Sequence, residues 1–143
     1  FEVSTNPGAP AGPLNRIASG GELSRFMLAL KAVLASSDKI PTIIFDEVDA
    51  GIGGAVAAAV GARLATLSEG AQVLVVTHSP QVASRGAYHW RVSKSGDEGQ
   101  VRTAIEPLES DARKEELARM LAGAEVTEEA RAAADSLLQG VGR

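Results

Sequence analysis

Cysteine is absent from the 143 residues, which excludes a disulfide framework and any Cys-based metal site. Aromatic residues make up only 3% of a chain that is 45% hydrophobic, so the interior must be built from small and aliphatic side chains in closely packed helices and strands. An excess of positive charge is lacking too: 14 Lys and Arg stand against 18 Asp and Glu, a net charge of −4. If nucleic acid is a partner, most of the phosphate neutralisation takes place elsewhere. The lack of cysteine fits a reducing, cytoplasmic setting; no apolar run approaches the roughly 20 residues of a membrane span, and no signal peptide is visible. Internal repeats, low-complexity tracts and heptad runs are missing. The motif G-x-x-x-x-G-K-[ST], whose backbone cradles nucleotide phosphates, occurs nowhere. Phe1 stands where an initiator Met would, which leads us to expect a fragment of a longer chain.

What is present centres on residues 41–54. Thr42, Ile43, Ile44 and Phe45 are β-branched or aromatic and form a continuous run, which predicts a parallel strand buried on both faces. Asp46 and Glu47 follow at its carboxyl end. Ligands bind at that edge of open α/β sheets, and a buried strand has no structural use for two charges there. Strand alternation points adjacent side chains in different directions, so the pair can divide the labour of phosphoryl transfer. Asp46 could hold Mg²⁺ while Glu47 orients or deprotonates a water. A solvated acidic turn is the plain alternative.

Taken in order, residues 1–5 read as the end of a strand and Asn6 to Pro13 as a loop. Leu23, Phe26, Met27, Leu30 and Leu34 recur at helical spacing, which puts Ser19, Gly20, Gly21 and Glu22 at a helix N-terminus. Free N–H groups and the positive end of the helix dipole favour an anion there, although a Ser cap with a Gly-rich entry loop explains the same residues. After the acidic strand come a Gly-rich turn, an Ala-rich helix over 55–67 closed by Gly70, and a second buried strand over 72–77 ending at His78. That His repeats, on a neighbouring strand, the placement of Asp46 and Glu47. A short helix over 81–85, begun by Pro80, follows. Residues 88–94 and 100–106 then alternate around the turn 95–99 as a β-hairpin, with His89 assigned no role. Amphipathic helices over 111–122 and 127–139 end the chain, the second capped by Thr127.

Ser19-Gly20-Gly21-Glu22, Ile43-Ile44-Phe45-Asp46-Glu47, Asp49 and Val75-Val76-Thr77-His78 form an ordered series. It resembles the signature loop, Walker B strand, D-loop and switch histidine of an ABC-type ATPase. In detail the chain is similar to the RecN family of bacterial DNA-repair proteins, relatives of the SMC proteins. The similar stretches are Asn6-Pro7-Gly8, Ala18 to Arg25, Phe45 to Gly54, Thr77 to Ala83 and Glu116 to Leu121. Ala18, where transporter signatures usually carry Leu, and Gly51-Ile52-Gly53, where SMC D-loops usually carry Ala-Leu-Asp, both favour this family.

The resemblance implies an α/β fold: the C-terminal lobe of an ABC-type P-loop ATPase head, without the N-terminal lobe that carries the Walker A loop. Residues 1–143 form that half, with signature loop and helix at 14–37, Walker B and D-loop at 41–54, switch-histidine strand at 72–80, hairpin at 87–107 and C-terminal helices at 111–140. It implies further that Asp46 helps hold Mg²⁺, Glu47 acts on the attacking water and His78 contacts the γ-phosphate. Asp49 links two sites across a dimer, and Ser19, Gly20, Gly21 and Glu22 serve ATP held by the opposite head. Arg25 either pairs within the signature lobe or approaches the nucleotide. The implied partners are the N-terminal half of the same head, a second head, and DNA through other parts of the protein, with no membrane. The implied setting is the bacterial cytoplasm, at the nucleoid. The implied function is ATP hydrolysis during double-strand break repair, with the isolated chain inactive. A transporter's nucleotide-binding half and a non-catalytic SMC-like head are the alternatives.

Overall fold

A computed structural model of the chain describes residues 2–4, 8, 10–13, 23, 25–30, 41–96, 102–123 and 125–140. The apolar run after Pro41 is strand β3 (Thr42–Asp46); it lies parallel to β4 (Gln72–Val76), in a register that sets Thr42 beside Gln72 and Asp46 beside Val76. Parallel strands need a crossover, and α2 (Gly54–Leu67) supplies it. Ahead of them, β1 (Glu2–Val3) pairs antiparallel with β2 (Gly12–Pro13), a bridge inside the stretch expected to be loop. Residues 25–30 form helix α1. A four-residue helix, α3 (Pro80–Ala83), follows β4 and is shorter than the 81–85 expected. Next come β5 (Trp90–Ser95), β6 (Arg102–Pro107), α4 (Ser110–Ala122) and α5 (Glu128–Gln139).

The chain divides into two compact units, 1–82 and 83–143. In the first, Ala57, Val60, Gly61, Leu64 and Leu67 form the buried stripe of α2, its small members allowing close approach to the sheet. They pack with Leu28, Phe45, Val48 and Val82, and with the partly buried Ile43, Val73 and Val75.

Burial of β3 on both faces, as the continuous apolar run predicts, is not what the fold shows. Phe45 is buried, whereas Ile44 is 68% exposed and Val76, on the same open face, 54%. The reason is simple: α2 covers one face of a two-stranded sheet. The apolar set expected for α1 also shifts. Leu28 is the residue in the core, while Leu23 and Met27 stay exposed. Nor does Gly70 close α2. The cap is Ser68 in right-handed geometry, its N–H on the carbonyls of Leu64 and Ala65 and its hydroxyl donating to Ala65 O at 2.7 Å.

In the second unit the hairpin pairs Arg91 with Glu106 and Val92 with Ile105. The turn residues 97–99 lie outside the described residues. Helices α4 and α5 meet through Leu117, Ala118, Ala130 and Ala134. Thr127 caps α5 as expected, its Oγ1 accepting from Ala130 N at 3.3 Å. Gly123, at φ +79°, ends α4 in a conformation that suits a residue without Cβ. Between the helices Lys114 meets Asp135 at 2.5 Å and Arg131 meets Glu115 at 2.6 Å.

Candidate functional site

The carboxyl ends of β3 and β4 open into a cleft of ≈ 440 Å³ lined by Glu47, Asp49, the turn 50–52, Gly54, Ala57, His78, Ser79 and Gln81. Two strands therefore deliver the candidate residues to one place. Their parallel register puts Asp46 beside Val76, and the ladder runs one step further through Glu47 N to Val76 O at 3.3 Å.

Glu47 then leaves the strand with φ +51°, making it the one non-glycine residue at positive φ among the described residues. A left-handed conformation costs an L-residue of this type about 1–2 kcal/mol, and such backbone clusters at functional sites. Its effect here is directional. Asp46 stays exposed in the strand, outside the cleft lining, while Glu47 lines the cleft. Only one of the two carboxylates lines the cleft, and the left-handed turn at Glu47 acts there in addition to strand alternation. Val48, fully buried, anchors the turn in the core. Ala50 N donates back to Glu47 O at 3.0 Å, and Gly51 supplies a second left-handed residue at φ +71°.

Asp49 points across to the end of β4. Its Oδ2 accepts from the Thr77 hydroxyl and, at 3.0 Å, from Ser79 N–H, which is shared with Thr77 Oγ1 at 2.9 Å. Ser79 Oγ in turn donates to Gln81 Oε1 at 2.9 Å. His78 sits exposed between these anchored neighbours. Glu47, Asp49 and His78 are thus brought together. Ser19, Gly20, Gly21 and Glu22 lie outside the described residues. Arg25, left open by the sequence, donates to Ala50 O at 3.1 Å and so braces the same turn. Thr77, Ser79 and Gln81 stand in the motif stretch Thr77 to Ala83 but were given no role from sequence; hydroxyl residues flanking a strand-end His were the available signal.

A single exposed carboxylate completed by phosphate oxygens and water is a common way of holding Mg²⁺; Asp46 is such a carboxylate, at the strand end just outside the cleft lining. An all-protein metal cage does not fit, since no group of three or more His, Cys, Asp or Glu converges among the described residues. Nor is any helix among them long and apolar enough to cross a membrane.

No family model matches the chain. Among curated proteins it is 55% identical over 139 residues to the DNA repair protein RecN of Xylella fastidiosa (strain Temecula1), an alignment that takes in 97% of this chain and 25% of the relative. Its identity to DNA repair protein RecN of Streptomyces coelicolor is 51% over 137 residues, with 96% of this chain and 24% of the relative covered. For that of Halalkalibacterium halodurans the figures are 45% over 138 residues, 96% and 24%. The chain spans about a quarter of the length of these relatives. Among solved structures, it superposes with a TM-score of 0.56 at 19% identity on a chain from a study of ATP-driven dimerization and DNA-stimulated activation of SMC ATPases, covering 82% of this chain and 70% of that one. The α/β fold is thus that of an SMC-type, ABC-class ATPase head, consistent with its C-terminal lobe.

Proposed function

Because this chain belongs to the RecN family of DNA-repair proteins as a segment of one, we propose that it completes an ATPase head which dimerises around ATP and hydrolyses it during double-strand break repair. The observation that carries the reading is Glu47, turned into the cleft by a left-handed backbone and facing it together with Asp49 and His78.

In the proposed chemistry Glu47 orients the attacking water and accepts its proton. His78 contacts the γ-phosphate from the neighbouring strand. Asp46 would help hold Mg²⁺, whose charge would offset that of the phosphates. Ser19, Gly20, Gly21 and Glu22, at a helix N-terminus in the sequence reading, meet the γ-phosphate of ATP carried by the second head. Asp49 joins the two sites across the dimer. The N-terminal half of the head supplies the phosphate loop that this sequence does not contain, and the exposed Ile44 and Val76 offer it an apolar surface to cover. DNA is met mainly by other parts of the protein, in keeping with the net charge of −4. The setting is the bacterial cytoplasm, at the nucleoid. This chain alone is inactive.

The test is Glu47→Gln in the complete protein. Gln keeps the volume and loses the base, so ATP binding and the ATP-dependent dimer persist while turnover falls by roughly 100-fold or more. Turnover at the wild-type rate refutes the role of Glu47; an inactive wild type refutes the hydrolytic reading and favours a non-catalytic head.

A further inference from the structure

His78 contributes one exposed side chain to the cleft, but the residues on both sides of it are tied to another segment. The Thr77 hydroxyl donates to Asp49 Oδ2, and Ser79 N–H donates to the same oxygen at 3.0 Å and to Thr77 Oγ1 at 2.9 Å. The acceptor is itself immobilised: Val48, one residue before it, is fully buried, and Ala50, one residue after it, receives the Arg25 guanidinium at 3.1 Å. A hydrogen bond to an ionised carboxylate is roughly twice as strong as one between neutral groups, and these are partly buried. They tie both neighbours of His78 to one oxygen of Asp49 in the short stretch between β4 and the buried Pro80, and so restrain the backbone from which the imidazole projects.

We infer that Thr77 is a positioning residue for His78, acting through the Asp49 carboxylate. The inference rests on the reading of His78 as a γ-phosphate contact. Removing the hydroxyl leaves the imidazole present but misplaced, and a displacement of about 1 Å costs up to roughly 100-fold in rate. The loss falls on kcat, because the interaction matters at the reacting phosphate more than in ground-state binding.

The experiment compares Thr77→Val, Thr77→Ser, His78→Ala and the double variant Thr77→Val/His78→Ala in the complete protein. Thr77→Val should lower kcat by roughly 10- to 100-fold with KM for ATP changed by less than about twofold. Thr77→Ser, which restores the donor, should return kcat to near wild type. In the His78→Ala background, Thr77→Val should cost nothing further, since residues acting as a unit are non-additive. Wild-type kcat in Thr77→Val, or the same loss repeated in the His78→Ala background, overturns the inference while leaving the site reading intact. His78→Ala at the wild-type rate overturns the role of His78 and this inference with it. Should Thr77→Val fail to fold, Thr77→Ala is read in the same cycle.

Discussion

Arg25 reaches from α1 to the Ala50 carbonyl, donating from Nη1 at 3.1 Å across 25 residues of sequence. Arg25 and Leu28 are three residues apart and so share a helix face; Leu28 enters the core beside Val48. One face of α1 is therefore linked to the acidic turn twice, through the core cluster that Leu28 shares with Val48 and through the Arg25 hydrogen bond.

Arg25→Met should keep the stem and lose the bond. The bond is exposed, and a typical one contributes about 1 kcal/mol, so the protein should fold while the turn loosens. Peptide-resolved hydrogen exchange over 47–52 in the complete protein should show faster exchange, with residues 57–67 unchanged. Equal exchange over 47–52 in variant and wild type would show that the Arg25 bond does not restrain the turn.

Glu47 occupies a backbone conformation that Asn adopts more readily. Glu47→Asn should therefore raise stability by about 0.5–1 kcal/mol while abolishing ATP turnover, because the shorter side chain neither reaches nor deprotonates the water. Denaturant midpoints of the complete protein check the first half and steady-state ATPase the second. A destabilised Asn variant would mean that contacts of the Glu47 side chain, not its backbone, dominate the local energetics.

Much of this was legible in the residues. β3, α2 and β4 announce themselves through a β-branched run, an Ala-rich helical stripe and a second aliphatic run, and parallel pairing then places Glu47 and His78 at one edge. Other features follow from information that local sequence does not hold. A continuous apolar run says nothing about which face will be covered, so the exposure of Ile44 could not be read from 42–45. The left-handed Glu47 has no local signal, since Glu is not a residue that favours positive φ. The bonds of Asp49 to Thr77 and Ser79 join positions 28 and 30 residues apart, and only the sheet register brings them together.

Arg113 is the staple of the second unit. Its Nη2 donates to Gly86 O at 2.6 Å and Ser84 O at 2.8 Å, with Ala83 O at 3.5 Å, gathering the carbonyls of the turn before β5. Hydrogen bonds from a charged donor contribute about 1.5–3 kcal/mol. Arg113→Met should therefore lower the stability of residues 83–140 by about 2 kcal/mol, with Arg113→Lys recovering part of it as a point charge without the fork. Gly86→Ala should act on the same turn by another route, since a Cβ there would stand 2.9 Å from Tyr88 O. Limited proteolysis of the complete protein between 83 and 90 reads all three variants. Wild-type resistance in Arg113→Met would show that the carbonyls are satisfied as well by water.

Acid should weaken this unit in two stages. Burial, and then the neighbouring Arg113 charge, push the His89 imidazole below its ordinary 6.5, against a smaller upward pull from Glu116. Its Nδ1 is buried with no hydrogen-bond partner among the described residues, so a proton added there finds no acceptor. Between 6.5 and the lower folded value, unfolded His89 carries a proton that the folded form does not, and stability falls as the pH drops through that interval. The second stage belongs to Glu116, only 6% exposed, whose carboxylate takes both Arg119 Nε at 2.9 Å and Nη2 at 2.6 Å. Those bonds, opposed by burial and helped by the Arg119 and Arg91 charges, hold it below the ordinary 4.5. Its contribution is complete above 4.5 and is lost as the pH falls through the lower folded value. His89→Gln should erase the upper stage and leave the lower one, whereas Glu116→Gln should leave the upper one in place. Hydrogen exchange over 110–122 in the complete protein, corrected for the intrinsic pH dependence of amide exchange, resolves the two. An unchanged upper stage in His89→Gln would assign it to another group.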